Sequence, residues 1–230
     1  MKAKQKLAAS ALMLAAALAA RAPHAEPAAA ARDVRIAAIP HALHTTLPAQ
    51  GLRLADDGLS MTAPHGTDMF VTFDGKEVVD NVARVLFQPE GDFILSARVG
   101  AGFHKAFDGA GLVVYADRTH WAKLLFEQNK VTGGANVTST VSMGAGDDAQ
   151  NGFVAGDAVY LKVVRKDTMV VFYTSPDGKD WTMVRTFGFP SKLPLQAGMF
   201  AQSPNGDSYT AQFSQIRYRP VAFKDYWQGE

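Results

Sequence analysis

Between Trp121 and Glu127 the chain changes character with a strict period of two. Trp121, Lys123, Leu125 and Glu127 fall on one side of an extended segment, and Ala122, Leu124 and Phe126 on the other. Successive side chains of a β-strand point to opposite faces, whereas a helix repeats every 3.6 residues and would mix the two sets. The segment therefore folds as a strand with one core face and one mixed polar and aromatic face. Together with the apolar run that follows Phe107, and the polar turn Asp117-Arg118-Thr119, it predicts two strands joined by a tight connection within residues 107–127.

The remainder reads the same way. Strands are predicted at Val34–Ile39, Leu52–Ala55, Leu59–Thr62, Phe70–Phe73, Arg84–Phe87, Asp92–Val99 and Asn136–Met143, then Ala158–Arg165, Met169–Thr174, Trp181–Phe187, Leu195–Gln202 and Tyr209–Tyr218. Turns rich in Gly, Asp and Pro separate them, with Asp-Gly pairs at 57, 74, 108 and 177. Short strands at regular spacing, with no amphipathic helical window, define an all-β chain: a two-sheet antiparallel β-sandwich or jelly roll. No domain boundary is visible after residue 33, so the sandwich is expected over residues 34–220, with a tail at 221–230 carrying the Tyr226-Trp227 pair.

The first residues read as a targeting signal. Lys2, Lys4 and Lys6 precede an apolar run from Leu7 to Ala20, and Ala17-Leu18-Ala19 has the A-x-A form of a cleavage site. Residues 1–19 are expected to be a signal peptide and 20–33 a disordered Ala- and Pro-rich leader, which makes the protein secreted or periplasmic. Removing three lysines from 23 basic against 22 acidic residues leaves the mature chain at a net charge of −2. A nearly neutral domain without a basic run has no electrostatic footprint for nucleic acid or an anionic membrane. The chain has no cysteine, so disulfides, thiol nucleophiles and thiolate metal sites are excluded.

A family pattern runs through these segments. The order Gly66-Thr67-Asp68-Met69-Phe70, Asn81, Glu90-Gly91-Asp92-Phe93, Phe107-Asp108-Gly109-Ala110-Gly111, Trp121-Ala122-Lys123 and Glu127 resembles the DUF1349 family. The later blocks Ser175-Pro176-Asp177-Gly178 before Trp181, and Gly198-Met199-Phe200 before Ser203-Pro204, agree with it. The resemblance spans roughly Leu52 to Tyr218 and implies a concanavalin A-like lectin/glucanase fold with one concave sheet. One segment departs: Asn136 to Met143 stands where relatives usually carry an Asp-Trp pair in a Ser/Thr-rich stretch.

The mixed face of the 121–127 strand is the principal site candidate. Trp121 is expected to act as a stacking platform, Lys123 and Arg98 as donors, and Glu127 and Asp108 as acceptors, with Arg98 and Ser96 sharing the same sheet. Sugars combine apolar C–H faces with rows of hydroxyls, which suits an aromatic ring flanked by charged groups. The expected function is non-catalytic recognition of a glycan or similar polar ligand by a monomer. Two alternatives stay open. One is a glycoside hydrolase or lyase using Glu127 with a second carboxylate such as Asp108 or Asp92, although a Glu-x-Asp-x-x-Glu strand is absent. The other is a structural or partner-binding domain. No cofactor is expected, and a structural Ca²⁺ would have to use Asp147-Asp148 or Asp56-Asp57. His41 and His44 lack a third ligand nearby and do not make a metal site. Trp181 is expected to pack in the core or between the sheets.

Overall fold

The computed structural model describes residues 32–45, 47, 51–190 and 192–230. The expected signal peptide and residues 20–31 of the expected leader lie outside these. Arg32 and Asp33, also assigned to the leader, already belong to the first strand.

Two antiparallel sheets face one another. The larger has eight strands in the spatial order β1 (Arg32–Ile36), β2 (Ile39–Thr45), β7 (Ala83–Phe87), β16 (Gln196–Gln202), β9 (Gly109–Asp117), β10 (His120–Gln128), β11 (Ala135–Met143) and β12 (Gly146–Phe153). The smaller has seven: β15 (Thr182–Gly188), β14 (Met169–Ser175), β13 (Ala158–Lys166), β8 (Phe93–Gly100), β17 (Ser208–Arg219), β4 (Leu59–Pro64) and β3 (Leu52–Leu54). A separate two-stranded hairpin pairs β5 (Met69–Val71) with β6 (Val78–Asp80).

Alternate residues of each sheet fill the space between them. Ala122, Leu124 and Phe126 of β10 join Leu112 and Val114 of β9, Leu95 and Val99 of β8, Leu161 and Val163 of β13 and Phe213 of β17 in one buried cluster. Where the two sheet edges meet, Arg185 of β15 ties to Asp147 of β12 at 2.6 Å. This is the jelly-roll sandwich that the strand spacing predicts.

Each sheet also carries apolar residues on its outer face, and each such patch is covered by another segment. On the eight-stranded sheet, Val113, Trp121, Leu125, Leu86 and Phe200 pack against Met69 and Val71 of the β5–β6 hairpin. On the seven-stranded sheet, Ile94, Val164, Val171, Tyr173 and Trp181 pack beneath Phe223 of the tail. Trp181 is thus buried outside the sandwich, not between its sheets. The tail docks through one member of the Tyr226-Trp227 pair: Phe223 and Tyr226 pack on this cluster, the Tyr226 and Thr186 hydroxyls are 2.7 Å apart and Tyr173 donates to the Tyr226 carbonyl at 2.6 Å, while Trp227 stays 71% exposed.

Three strands escape sequence reading for identifiable reasons. Val34–Ile39 divides into β1 and β2 at an Ala37-Ala38 turn, which carries none of the residues that mark turns. Pro40 is tolerated in β2 because only His44 and Thr45 at the far end pair with β7. The sequence of β12, from Gly146 to Phe153, is almost wholly polar, as suits an edge strand with few buried side chains. The three residues of β6 are too few to show a period.

Candidate functional site

Lys123, Leu125 and Glu127 project from the outer face of β10, and antiparallel register extends their rows across the sheet. Lys123 lies opposite Thr140, which lies opposite Asp148; Leu125 lies opposite Thr138, which lies opposite Gln150. Glu127 is flanked by Asn136 on one side and Gly109 on the other. Glycine is required there, because a Cβ on Gly109 would sit 2.7 Å from the Glu127 Cβ.

These rows floor a cleft of about 390 Å³, lined by Asp68, Phe70, Phe107, Lys123, Glu127, Thr138, Thr140, Asp148, Gln150 and Gln202. One wall is the β5–β6 hairpin. It is held down by Asp80, which accepts hydrogen bonds from Tyr115 of β9 at 2.8 Å and from Arg84 of β7. Burial, reinforced by that bond to Asp80, pushes the Tyr115 hydroxyl up to about 12, so it remains a donor throughout the neutral range. Another wall is Phe107, whose φ of 70° is rare for a bulky residue. Its amide donates to Gln128 O at 3.0 Å, and its carbonyl accepts from Gln202 Nε2 at 3.3 Å.

Hydrogen bonding within the cleft is extensive. Lys123 is only 6% exposed, and its ammonium donates to the Met69 carbonyl at 2.6 Å and to Gln202 Oε1 at 3.2 Å, with Asp68 at 3.8 Å. Thr138 donates to Glu127 Oε1 at 3.1 Å, a diagonal cross-strand contact. Thr140 donates to Asp148, and Asn136 Nδ2 donates to Gln150 Oε1 at 3.0 Å. Burial pushes the Glu127 carboxyl above its ordinary value, helped by the Asp68 and Asp148 charges and opposed by Lys123 and Thr138.

The structure brings Lys123 and Glu127 into the cleft and leaves the other three predicted residues out of its lining, although the Lys123 ammonium lies 5.7 Å from the centre of the Trp121 ring. Trp121 shares their face, as the alternation requires, but is 0% exposed beneath the hairpin, with its indole N–H donated to the Arg118 carbonyl at 3.2 Å. It is a core residue of the outer layer, not a stacking platform. Asp108 is fully buried: Oδ2 accepts from the amides of His104 and Lys105, both at 2.9 Å, and Oδ1 accepts from the Ser203 hydroxyl at 2.8 Å. It fastens the loop that carries Phe107 and is unavailable as ligand acceptor or catalytic acid. Arg98 and Ser96 lie on β8, in the other sheet, facing away from the core on the opposite side of the sandwich; Arg98 is 3.8 Å from Asp157. Asp92 also belongs to that side, accepting from the Asp167 amide. Lys123, expected as a ligand donor, already has acceptors within the protein.

Asp68, Asp148, Thr138, Thr140, Gln150 and Gln202 are site residues that strand parity in β10 alone does not reveal. The departing segment from Asn136 to Met143 nevertheless supplies Thr138 and Thr140 to the cleft. Asp147 and Asp148 diverge, one toward Arg185 and the other toward Thr140, and among the described residues no group of three or more metal-ligating side chains converges.

A two-sheet jelly roll with a hairpin-walled cleft on the outer face of its larger sheet is the class of protein that fold and site define. The chain belongs to the family described as protein of unknown function DUF1349, whose model matches residues 46–221. A relative in Saccharomyces cerevisiae, "Regulation of enolase protein 1", is 26% identical over 125 residues, covering 54% of this chain and 62% of that protein's length. Among solved structures, a functionally unknown protein from Saccharomyces cerevisiae superposes with a TM-score of 0.68 at 21% identity, over 75% of this chain and 92% of that one. The xylan beta-1,4-xylosidase of Bacillus halodurans matches with a TM-score of 0.57 at 20% identity, over 70% of this chain and 32% of that one. The GH43 protein BlXynB of Bacillus licheniformis matches with a TM-score of 0.59 at 15% identity, over 78% of this chain and 37% of that one. At these identities the structural likeness is one of fold.

Proposed function

We propose that this protein binds a small, hydroxyl-rich ligand of the carbohydrate class in the cleft of its eight-stranded sheet and leaves it chemically unchanged. The supporting observation is the lining itself. Phe70 and Phe107 offer apolar ring surface on the walls, while Glu127, Thr138, Thr140, Asp148 and Gln150 form a polar floor on three adjacent strands. Sugars need such a mixture, with few but well-placed polar groups beside apolar surface. The xylosidase named above shares the fold over about a third of its own length, which is compatible with a carbohydrate ligand.

A glycan panel followed by titration of the soluble hits tests this. Phe70→Ala and Gln150→Ala remove one wall and one floor group without touching the core between the sheets, and both are expected to weaken binding about tenfold or more. A panel with no hit, or hits bound equally by both variants, would remove carbohydrate recognition from this cleft.

One observation favours a second reading, acid–base catalysis. Glu127 is a buried carboxyl held above its ordinary value and faces the same cleft as Asp68 and Asp148. Glycoside cleavage pairs a carboxyl of raised affinity for its proton with a second acidic side chain across the scissile bond. Under that reading Glu127→Gln abolishes turnover of a bound glycan while affinity is kept; in the binding-only reading no product forms with either protein.

A further inference from the structure

Resting on that ligand cleft, the balance of donors and acceptors specifies the ligand further. On the outward face of the cleft floor the ammonium and hydroxyl donors already have protein acceptors, Thr138 with Glu127, Thr140 with Asp148, and Lys123 with Met69 O and Gln202. Among the described residues the Gln150 amide has none, and the buried Ser139 hydroxyl, also without a partner, is turned from that face by strand alternation. Acceptors are in surplus. Among the described residues no protein group donates to Glu127 Oε2, although the side chain is only 7% exposed and lines the cavity. Asn136, beside it in register but buried and outside the cleft lining, has an Oδ1 with no donor among the described residues. Among the described residues neither Glu127 nor Asp148 forms an ion pair, and the one cation lining the cleft, Lys123, is held by Met69, Gln202 and Asp68.

We propose that the cleft selects a ligand bearing a protonated amine, in its simplest form an amino sugar, and rejects the acidic sugar of the same skeleton. An alkylammonium brings three donors and one positive charge to a site short of both. It compensates a carboxylate that burial otherwise disfavours; the attraction is stronger in a partly desolvated cleft than in water and is set against the cost of desolvating the ammonium. A uronate would add a fourth carboxyl to Asp68, Glu127 and Asp148 and would find no uncommitted cation. A neutral sugar can donate hydroxyls but leaves the charge uncompensated.

Titration with D-glucosamine, D-glucose and D-glucuronate, followed by NMR shifts of the full chain at about pH 6 where an alkylammonium stays protonated, tests the order. D-Glucosamine is expected to bind about tenfold more tightly than D-glucose, with D-glucuronate weakest. Asp148→Asn, on an exposed edge strand, and Glu127→Gln should each reduce the preference for the amine, with the fold of both checked by near-UV circular dichroism. Equal affinity for D-glucosamine and D-glucose, D-glucuronate binding as tightly as either, or an undiminished amine preference in both variants overturns the inference while leaving the cleft as a sugar site. Absence of binding by all three sugars overturns the cleft reading beneath it.

Discussion

The Ser203 hydroxyl donates to Asp108 Oδ1 at 2.8 Å, joining the end of β16 to the turn before β9 across 95 residues of sequence. With the His104 and Lys105 amides on Oδ2, this bond gives Asp108 three partners in a site closed to solvent. The carboxylate thereby sets the backbone on which Phe107 takes its left-handed conformation at the cleft wall. Asp108 is a positioning residue, acting through Phe107.

Replacing Asp108 with Ala leaves two amides and a hydroxyl without an acceptor. Unsatisfied buried groups cost about 1–3 kcal/mol each, so a loss of roughly 3 kcal/mol or more is expected in urea denaturation. Ligand affinity should fall with it, because the wall at Phe107 is released. Stability within experimental error of the parent would show that the loop is held by other means.

Trp121→Ala is expected to destabilise the protein by about 3–5 kcal/mol, the range for truncating a large buried aromatic. The loss reflects a cavity beneath the β5–β6 hairpin, and faster amide exchange in residues 69–80 is its local signature. Trp121→Phe should recover most of the stability. A fully stable Trp121→Ala protein that merely lost its ligand would restore the indole as a stacking platform.

Glu127 has a pH signature whose sign is fixed by its environment. Burial raises its folded-state value above the ordinary 4.5, so the folded protein holds the proton more tightly than the unfolded chain. Its contribution to stability is complete below 4.5 and declines as pH rises through the raised folded value. Glu127→Gln keeps the carboxyl site neutral, so the variant should gain stability relative to the parent over that window and hold the gain above it. Thermal melts of both proteins across acidic to neutral pH check this; a gap that narrows with rising pH would reverse the assignment.

The tail is integral to the outer layer of the seven-stranded sheet. Lys162 of β13 is buried under it, 3.9 Å from the Trp181 ring, and donates to the Gln228 and Gly229 carbonyls at 2.9 and 3.2 Å as well as to Glu230. Measured against a full-length Trp227→Phe protein, in which the exposed indole of the tail is already absent, removing residues 223–230 should expose Trp181, read as a red-shifted emission and increased iodide quenching, and should lower the melting temperature. Lys162→Met, which removes the buried charge but keeps much of the volume, is expected to preserve a folded sandwich with a looser tail. Unchanged Trp181 emission on truncation would mean that the indole is shielded by the sheet alone.

The sequence by itself determined the all-β class, the sandwich and the partition of β10 into two faces. Those properties follow from local periodicity and turn chemistry, which act over a few residues and are written into any strand that buries one side. Its alternation therefore placed Lys123 and Glu127 on a common outer face with Trp121. Only the tertiary structure decided what that face meets. The hairpin that buries Trp121 and takes up Lys123 comes from 54 residues upstream, at Met69, and nothing in the period of β10 records its arrival. The assignment of Arg98 failed for a related reason: both sheets have a polar outer face, and period two does not say to which sheet a strand belongs. Asp68 and Asp148 reach the cleft through hairpin docking and edge pairing, which depend on long-range contacts and so become visible only when the chain has closed on itself.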